Sequence, residues 1–379
     1  MLYLDHAATS PVRPEVLEAM QPYLTGVFGN PSSHHTAGEA AAAALSDARA
    51  RVARVLGMRT GDVLFTAGGT EANNLAVKGI MLAALGDGRR HLITTPIEHE
   101  SILESAAFLQ RFHGIEVTLV PVDDVGRVSP DRVAAALRPD TALVTIGHAN
   151  NEIGTVQDAA GLRAVTRAQG VPLHLDAVQS AGWLPLAGLG ADALSIAGHK
   201  LGAPKGIGAL AVRGRVPLEP LLHGGGQERG RRSGTENVAG AVALAVALEL
   251  AEAERETLAG TVGAATSRFI ASVLHDIPTA QLTGAPGQRL PGTASFTFAG
   301  ISGEAVLLEL ERRGVISSSG SACAAGSDEP SHVLLACGIA PDIAQSAVRF
   351  TFGRHPLPGD APERLAAVVA ASVSAAGTP

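Results

Sequence analysis

Cys323 stands in SSSGSACAAGSDEPSHVL, among Ser, Gly and Ala, with no bulky apolar residue before Val333. A structural cysteine packs as a small hydrophobe among large ones, so a thiol in this setting reads as one kept for reaction. Gly320 and Gly326 make backbone motion cheap and the small side chains supply few packing anchors, so 317–330 is expected among the most mobile parts of the chain. The other cysteine, Cys337 in LLACGIA, has the apolar setting of an inert core thiol. The two are 14 positions apart with no CxxC pair, so zinc is not expected.

A second constellation surrounds a lysine. Gly68, Gly69 and Thr70, in TAGGTEANN, follow the apolar DVLF and open a helical stretch. Free N–H groups at a helix start plus a hydroxyl suit a phosphate, although an ordinary cap by Thr70 has the same pattern. Asp176 closes the apolar LHLD, with Gln179 after it, at a strand end where open α/β sheets bind ligands. Lys200, in SIAGHKLG, comes 24 residues later, after another apolar run and beside His199. An amine and an acid at strand ends suit an aldehyde cofactor, pyridoxal phosphate. The lysine joins the aldehyde as a Schiff base, and the acid keeps the pyridine nitrogen protonated so that the ring accepts electrons.

Other polar residues follow strands in the same way. His99, in TPIEHES, could stack on a flat ring and move protons. Asn151, in HANNEIG, could donate to a phenolic oxygen, or serve turn chemistry. Thr235 follows the Gly- and Arg-rich HGGGQERGRRSG and could add a phosphate contact from a partner subunit. Arg349 lies in the alternating run VRFTFGR, and a buried arginine there needs a carboxylate such as a substrate's. GIGALA (206–211) fits a loose dinucleotide fingerprint but precedes a strand-like run where the fingerprint should open a helix, so nicotinamide is set aside.

The elements that must position these residues alternate. Apolar runs at 91–96, 117–122, 141–148, 171–177, 192–198 and 208–213 read as buried strands, and 37–57, 101–112, 129–137 and 159–169 as helices. That alternation predicts an α/β fold with parallel strands and helices on both faces. The texture changes near 255, which predicts a large domain over 12–255 and a smaller α+β domain from 1–11 with 256–379, the latter carrying Cys323. With aromatics at only 3%, the core is expected to be built from Ala, Val, Leu and Ile.

Composition narrows the function classes. Net charge is −7 and no basic run is interleaved with aromatics, which argues against nucleic-acid binding. Two cysteines make no disulfide framework and favour a reducing, cytoplasmic setting. MLYLDHAATSPVRPE has no basic leader, so no signal peptide is expected, and VAGAVALAVAL (238–248) is too short to span a membrane.

In their order along the chain, YLDHAATSPV, GNPSSHH, FTAGGTEANNLA, EHES, HANNEIG, DAVQS, AGHK, HGGGQERGRRSGT, SSGSAC and VRFTFGR resemble the cysteine desulfurases, class-V aminotransferase-like enzymes of the fold-type I pyridoxal-phosphate group. The long cysteine segment resembles their nitrogenase-type and housekeeping iron–sulfur branch. The resemblance implies a homodimer that converts L-cysteine to L-alanine and passes sulfur, through a persulfide, to an acceptor such as an iron–sulfur scaffold. It implies Lys200 as cofactor lysine, Asp176 on the pyridine nitrogen and His99 on the ring face. Gly69, Thr70, Ala197 and His199 would face the phosphate, with Thr235 from the second subunit. Asn151 and Gln179 would meet the ring oxygen, Arg349 the substrate carboxylate, and Cys323 would be the nucleophile. One position departs: the family's Ser-Gly-His-Lys begins here with Ala197, so a phosphate hydroxyl contact is missing. The competing readings are a selenocysteine lyase or another β-eliminating lyase on the same scaffold, and a non-catalytic sulfur or cluster scaffold that merely uses the thiol.

Overall fold

The computed structural model describes residues 1–319 and 329–377. Cys323, and the mobility expected of its segment, rest on 320–328 and lie outside the described residues.

Seven strands form the central sheet, in the order Val63–Thr66, Gly208–Val212, Ala193–Ala197, Leu173–Asp176, Thr141–Gly147, His91–Thr94, Glu116–Leu119. The five inner strands and the edge strand Val63–Thr66 are buried at almost every position, as strands covered on both faces must be. Glu116–Leu119 differs from the expectation of a buried strand: it lies at the sheet edge opposite Val63–Thr66, with both end residues exposed.

The sheet is mostly parallel, with one reversal that strand–helix alternation did not indicate. Gly208–Val212 runs antiparallel to both neighbours, and the other pairs are parallel. Only residues 198–207 join Ala193–Ala197 to Gly208–Val212, too few for a helical crossover, which takes a dozen or more. The chain turns back instead, and Lys200 sits in that turn. The two reversals cancel, so Val63–Thr66 points the same way as the parallel strands and its phosphate-type loop opens on the same edge.

The helix expected at 37–57 is Thr36–Leu56, closed by Gly57 in the left-handed conformation (φ 63°) that glycine adopts without penalty. The apolar run at 238–248 and the helical pattern after it form one 39-residue helix, Val238–Asp276. Its first half is buried among the aliphatic side chains of the large sheet's core. Its second half buries Val262, Phe269 and Val273 in a separate core. The boundary expected near 255 therefore falls inside a continuous helix.

That second core lies against an antiparallel sheet of Val348–Thr351, Thr293–Phe298 and Ala280–Leu282. It is aromatic, against the expectation of a purely aliphatic interior. Phe269 meets Phe296, Phe350 and Phe352 edge-on, with ring centroids 5.2–5.9 Å apart, a favoured geometry for aromatic pairs. The N-terminal Leu2–Tyr3 pairs in parallel with Val315–Ile316, and Leu4 joins this core. Among the described residues no helix is long and apolar enough to cross a membrane.

Candidate active site

A cavity of about 330 Å³ opens where the parallel strands end. Gly69 and Thr70 reach it from the start of the helix Gly69–Ala84. His99 and Asn151 come from the segments after His91–Thr94 and Thr141–Gly147, and Asp176 and Gln179 from the end of Leu173–Asp176. Ala197, His199 and Lys200 follow from Ala193–Ala197, and Arg349 enters from the smaller sheet. Ten residues scattered over 281 positions thus share one wall. Thr235 does not: it is exposed, on the segment before the long helix, and lines no part of this cavity.

The loop before Gly69–Ala84 is shaped by glycine. Gly68 has φ 157° and ψ −176°, backbone that side-chain-bearing residues avoid. A Cβ on Gly69 would stand 2.8 Å from Val178 Cγ2 and 3.2 Å from Ala197 Cβ, and one on Gly208 would stand 2.7 Å from the Gly68 carbonyl carbon. The absent side chains let the loop pack directly against Val178, Ala197 and the neighbouring strand, and this close packing sets the start of the helix at the cavity, where its first N–H groups suit a phosphate.

Asp176 is buried. Its Oδ2 accepts from Asn73 Nδ2 at 2.7 Å and its Oδ1 from the Val178 N–H at 2.9 Å. Burial raises its carboxyl above the usual range, while those two donors act the other way. A buried carboxylate in that state gains from a cationic neighbour such as a pyridinium. Lys200 Nζ donates to the carbonyls of Ala7 and of Ala8, the latter at 2.7 Å. Burial first, then Lys200 and Lys205, push the His199 imidazole down to about 4, so it is neutral at pH 7. Its Nδ1 lies 3.2 Å from Thr9 Oγ1.

His99 caps the helix Glu100–His113, with Nδ1 accepting the Ser101 N–H at 3.0 Å. Gln179 Nε2 donates to Ala7 O at 3.1 Å. Arg349, its side chain 3% exposed, donates to Asp5 Oδ1 at 2.7 Å and to the Asn151 carbonyl at 2.7 Å. The carboxylate that a buried arginine requires is supplied in part by the chain itself.

Sequence reasoning missed Asp5, the Ala7 and Ala8 carbonyls, Asn73 and Ser101. Asn73 was within reach: it follows Thr70 by one helical turn and so shares its face. Asp5 offered no local signal, because its partner Arg349 is 344 residues away.

The Aminotransferase class-V family model matches residues 2–357. The chain belongs to that family, among the cysteine desulfurases. It is 44% identical to the "Cysteine desulfurase IscS" of Dictyoglomus turgidum (strain DSM 6724 / Z-1310), covering 93% of this chain and 90% of that one. It is 46% identical to the protein of the same name from Methanosarcina thermophila, covering 93% and 87%. Among solved structures, "SspA in complex with cysteine" superposes with a TM-score of 0.81 at 36% identity, covering 94% of this chain and all of that one.

Within this desulfurase chain, both ends of the cysteine-bearing segment are pinned beside the cavity. Ser318 and Arg349 exchange backbone hydrogen bonds of 3.2 and 2.6 Å. Ser331 Oγ donates to Glu152 Oε2 at 2.5 Å, and His332 Nε2 lies 3.1 Å from the Glu98 carbonyl. Cys337, by contrast, is buried, and burial pushes its thiol up to about 12.

Proposed function

We propose that this protein is a pyridoxal-phosphate-dependent cysteine desulfurase that takes sulfur from L-cysteine, leaves L-alanine, and holds the sulfur on Cys323 as a persulfide for an acceptor such as an iron–sulfur scaffold. The observation that carries the reading is the convergence of Lys200, Asp176, His99 and Arg349 on one cavity at the strand ends.

Pyridoxal phosphate, when bound, supplies an aldehyde that couples to amines and a ring that accepts electrons from Cα. Gly69, Thr70 and His199 would hold its phosphate, Asp176 its ring nitrogen, His99 its face, and Asn151 and Gln179 its ring oxygen. Arg349 binds the substrate carboxylate, and its bonds to Asp5 and the Asn151 carbonyl keep the guanidinium oriented. Lys200 carries the Cα proton. The thiolate of Cys323 attacks the substrate sulfur. An S–S bond forms as the Cβ–S bond breaks, the electron pair stays with the carbon skeleton, and that carbon takes up a proton to become alanine. Five residues of chain reach at most about 18 Å from Ser318, and Ser318 is paired to Arg349 of the cavity wall, so the tether permits a Cys323 thiol to meet substrate there. The enzyme acts as a homodimer in which Thr235, exposed on its own subunit, reaches the partner's phosphate site. The reading includes no membrane or nucleic-acid partner and a cytoplasmic setting.

Incubation with L-cysteine, cofactor and a reductant is the direct test. Sulfide and alanine should appear in equal amounts. Sulfide accompanied by pyruvate and ammonia, or turnover of selenocysteine alone, would reject the assignment.

Ala197 offers a gain-of-function check. Its Cβ borders Gly69, so Ala197→Ser should restore a hydroxyl to the phosphate site. One added hydrogen bond contributes about 0.5–1.5 kcal/mol, so the cofactor should bind about threefold to tenfold more tightly in an absorbance titration. Unchanged or weaker binding would mean that residue 197 does not face the phosphate.

A further inference from the structure

A chain of side-chain hydrogen bonds crosses the site through two residues that have no part in the scheme above. Asn73 Nδ2 donates to Asp176 Oδ2 at 2.7 Å and to Ser101 Oγ at 2.9 Å. Ser101 Oγ lies 2.8 Å from His99 Nδ1, and the Ser101 backbone N–H donates to that same nitrogen at 3.0 Å. Asn73 and Ser101 are 1% and 7% exposed, so water does not replace these partners freely.

The donor inventory orders the chain. A main-chain N–H only donates, so His99 Nδ1 is an acceptor, and the neutral ring carries its proton on Nε2. Asn73 uses both amide hydrogens, one on Asp176 and one on Ser101 Oγ. The Ser101 hydroxyl hydrogen is left to point at His99 Nδ1. Both the backbone and the hydroxyl therefore favour one tautomer.

We infer that Ser101 and Asn73 are positioning residues that lock His99 as its Nε2–H tautomer and tie its ring to the Asp176 carboxylate. The roles of the two end groups rest on the pyridoxal-phosphate reading; the network itself does not. A base at Nε2 needs the opposite tautomer, whose Nδ1–H would face the fixed Ser101 N–H. His99 consequently serves as a stacking ring and N–H donor, and the Cα proton is left to Lys200. Because Asn73 bridges Ser101 and Asp176, loosening either end loosens the other.

The first test uses holoenzyme labelled with ¹⁵N-histidine, with the His99 signals assigned by their loss in His99→Gln. At pH 7.5, Nδ1 should resonate as an unprotonated imidazole nitrogen and Nε2 as an N–H; the reverse order overturns the inference. This readout is independent of turnover, so it stands even if the desulfurase assignment fails. The second test is a double-mutant cycle. Partners that orient metal-ligating histidines matter by about 10- to 100-fold; by the same orienting logic, Ser101→Ala and Asn73→Ala should each lower kcat about tenfold with KM for cysteine within about threefold. The double variant should be no worse than the poorer single, within about threefold. A multiplicative loss of about 100-fold would mean two independent packing effects and no network. Ser101→Thr keeps the hydroxyl and should stay within about threefold of wild type; activity as low as Ser101→Ala would also overturn the role.

Discussion

Lys200→Ala should abolish turnover while leaving the protein folded. Alanine and sulfide formation should fall by about 10³-fold or more, because in the proposed function Lys200 is both the covalent attachment of the cofactor and the carrier of the Cα proton. The fold has little stake in this side chain. Lys200 lies in a short turn held by backbone bonds from Leu201 and Ala203 to the Gly198 carbonyl, and its Nζ contacts the Ala7 and Ala8 carbonyls at the cavity. Circular dichroism should therefore match wild type, and the absorbance of protein-attached cofactor should disappear although the phosphate loop and Asp176 are intact. Retention of a tenth of the wild-type rate would sink the assignment of Lys200.

Cys323→Ser should separate substrate binding from sulfur transfer. Lys200, Asp176, Arg349 and the phosphate loop are untouched, so L-cysteine should still change the absorbance of the bound cofactor. Transfer should fall by about 10²-fold or more, since a serine hydroxyl is protonated at neutral pH and an ordinary thiol supplies a few per cent thiolate. Mass spectrometry after L-cysteine treatment gives the sharper test. Wild type should gain one sulfur, about 32 Da, on the Cys323 peptide. It should gain none on the Cys337 peptide: with the Cys337 thiol pushed up to about 12 by burial, its thiolate fraction at pH 7 is about 10⁻⁵. Added sulfur on Cys337, or on neither peptide with turnover intact, would overturn the proposed acceptor.

Local signals made much of this protein legible before its fold was known. Buried strands announced themselves as apolar runs because strands covered on both faces have no polar side to show. The helix Thr36–Leu56 was readable to its Gly57 cap, because left-handed closure demands a particular residue. That the 68–70 loop, Asp176 and Lys200 would meet at one cavity was legible because each sits just after such a run, and in α/β sheets ligand sites lie beyond those strand ends.

Tertiary structure alone decided the rest, wherever the deciding partner is distant along the chain. The reversed strand Gly208–Val212 depends on its two neighbours, and only their register shows that Val63–Thr66 regains the common direction. One helix serves two cores because its first half meets aliphatic residues and its second half the phenylalanines of the smaller sheet, a difference of surroundings and not of helical propensity. Asp5 finds Arg349 across 344 residues, and His99, Ser101, Asn73 and Asp176 become one network only when the N-terminal parts of two helices meet one strand end. Residue types and local spacing specify which chemistry is available, because propensity and burial act over a few residues. Which groups touch, and hence which tautomer and which orientation each holds, depends on hydrogen-bond geometry a few ångströms across, and only the packed fold brings those groups together.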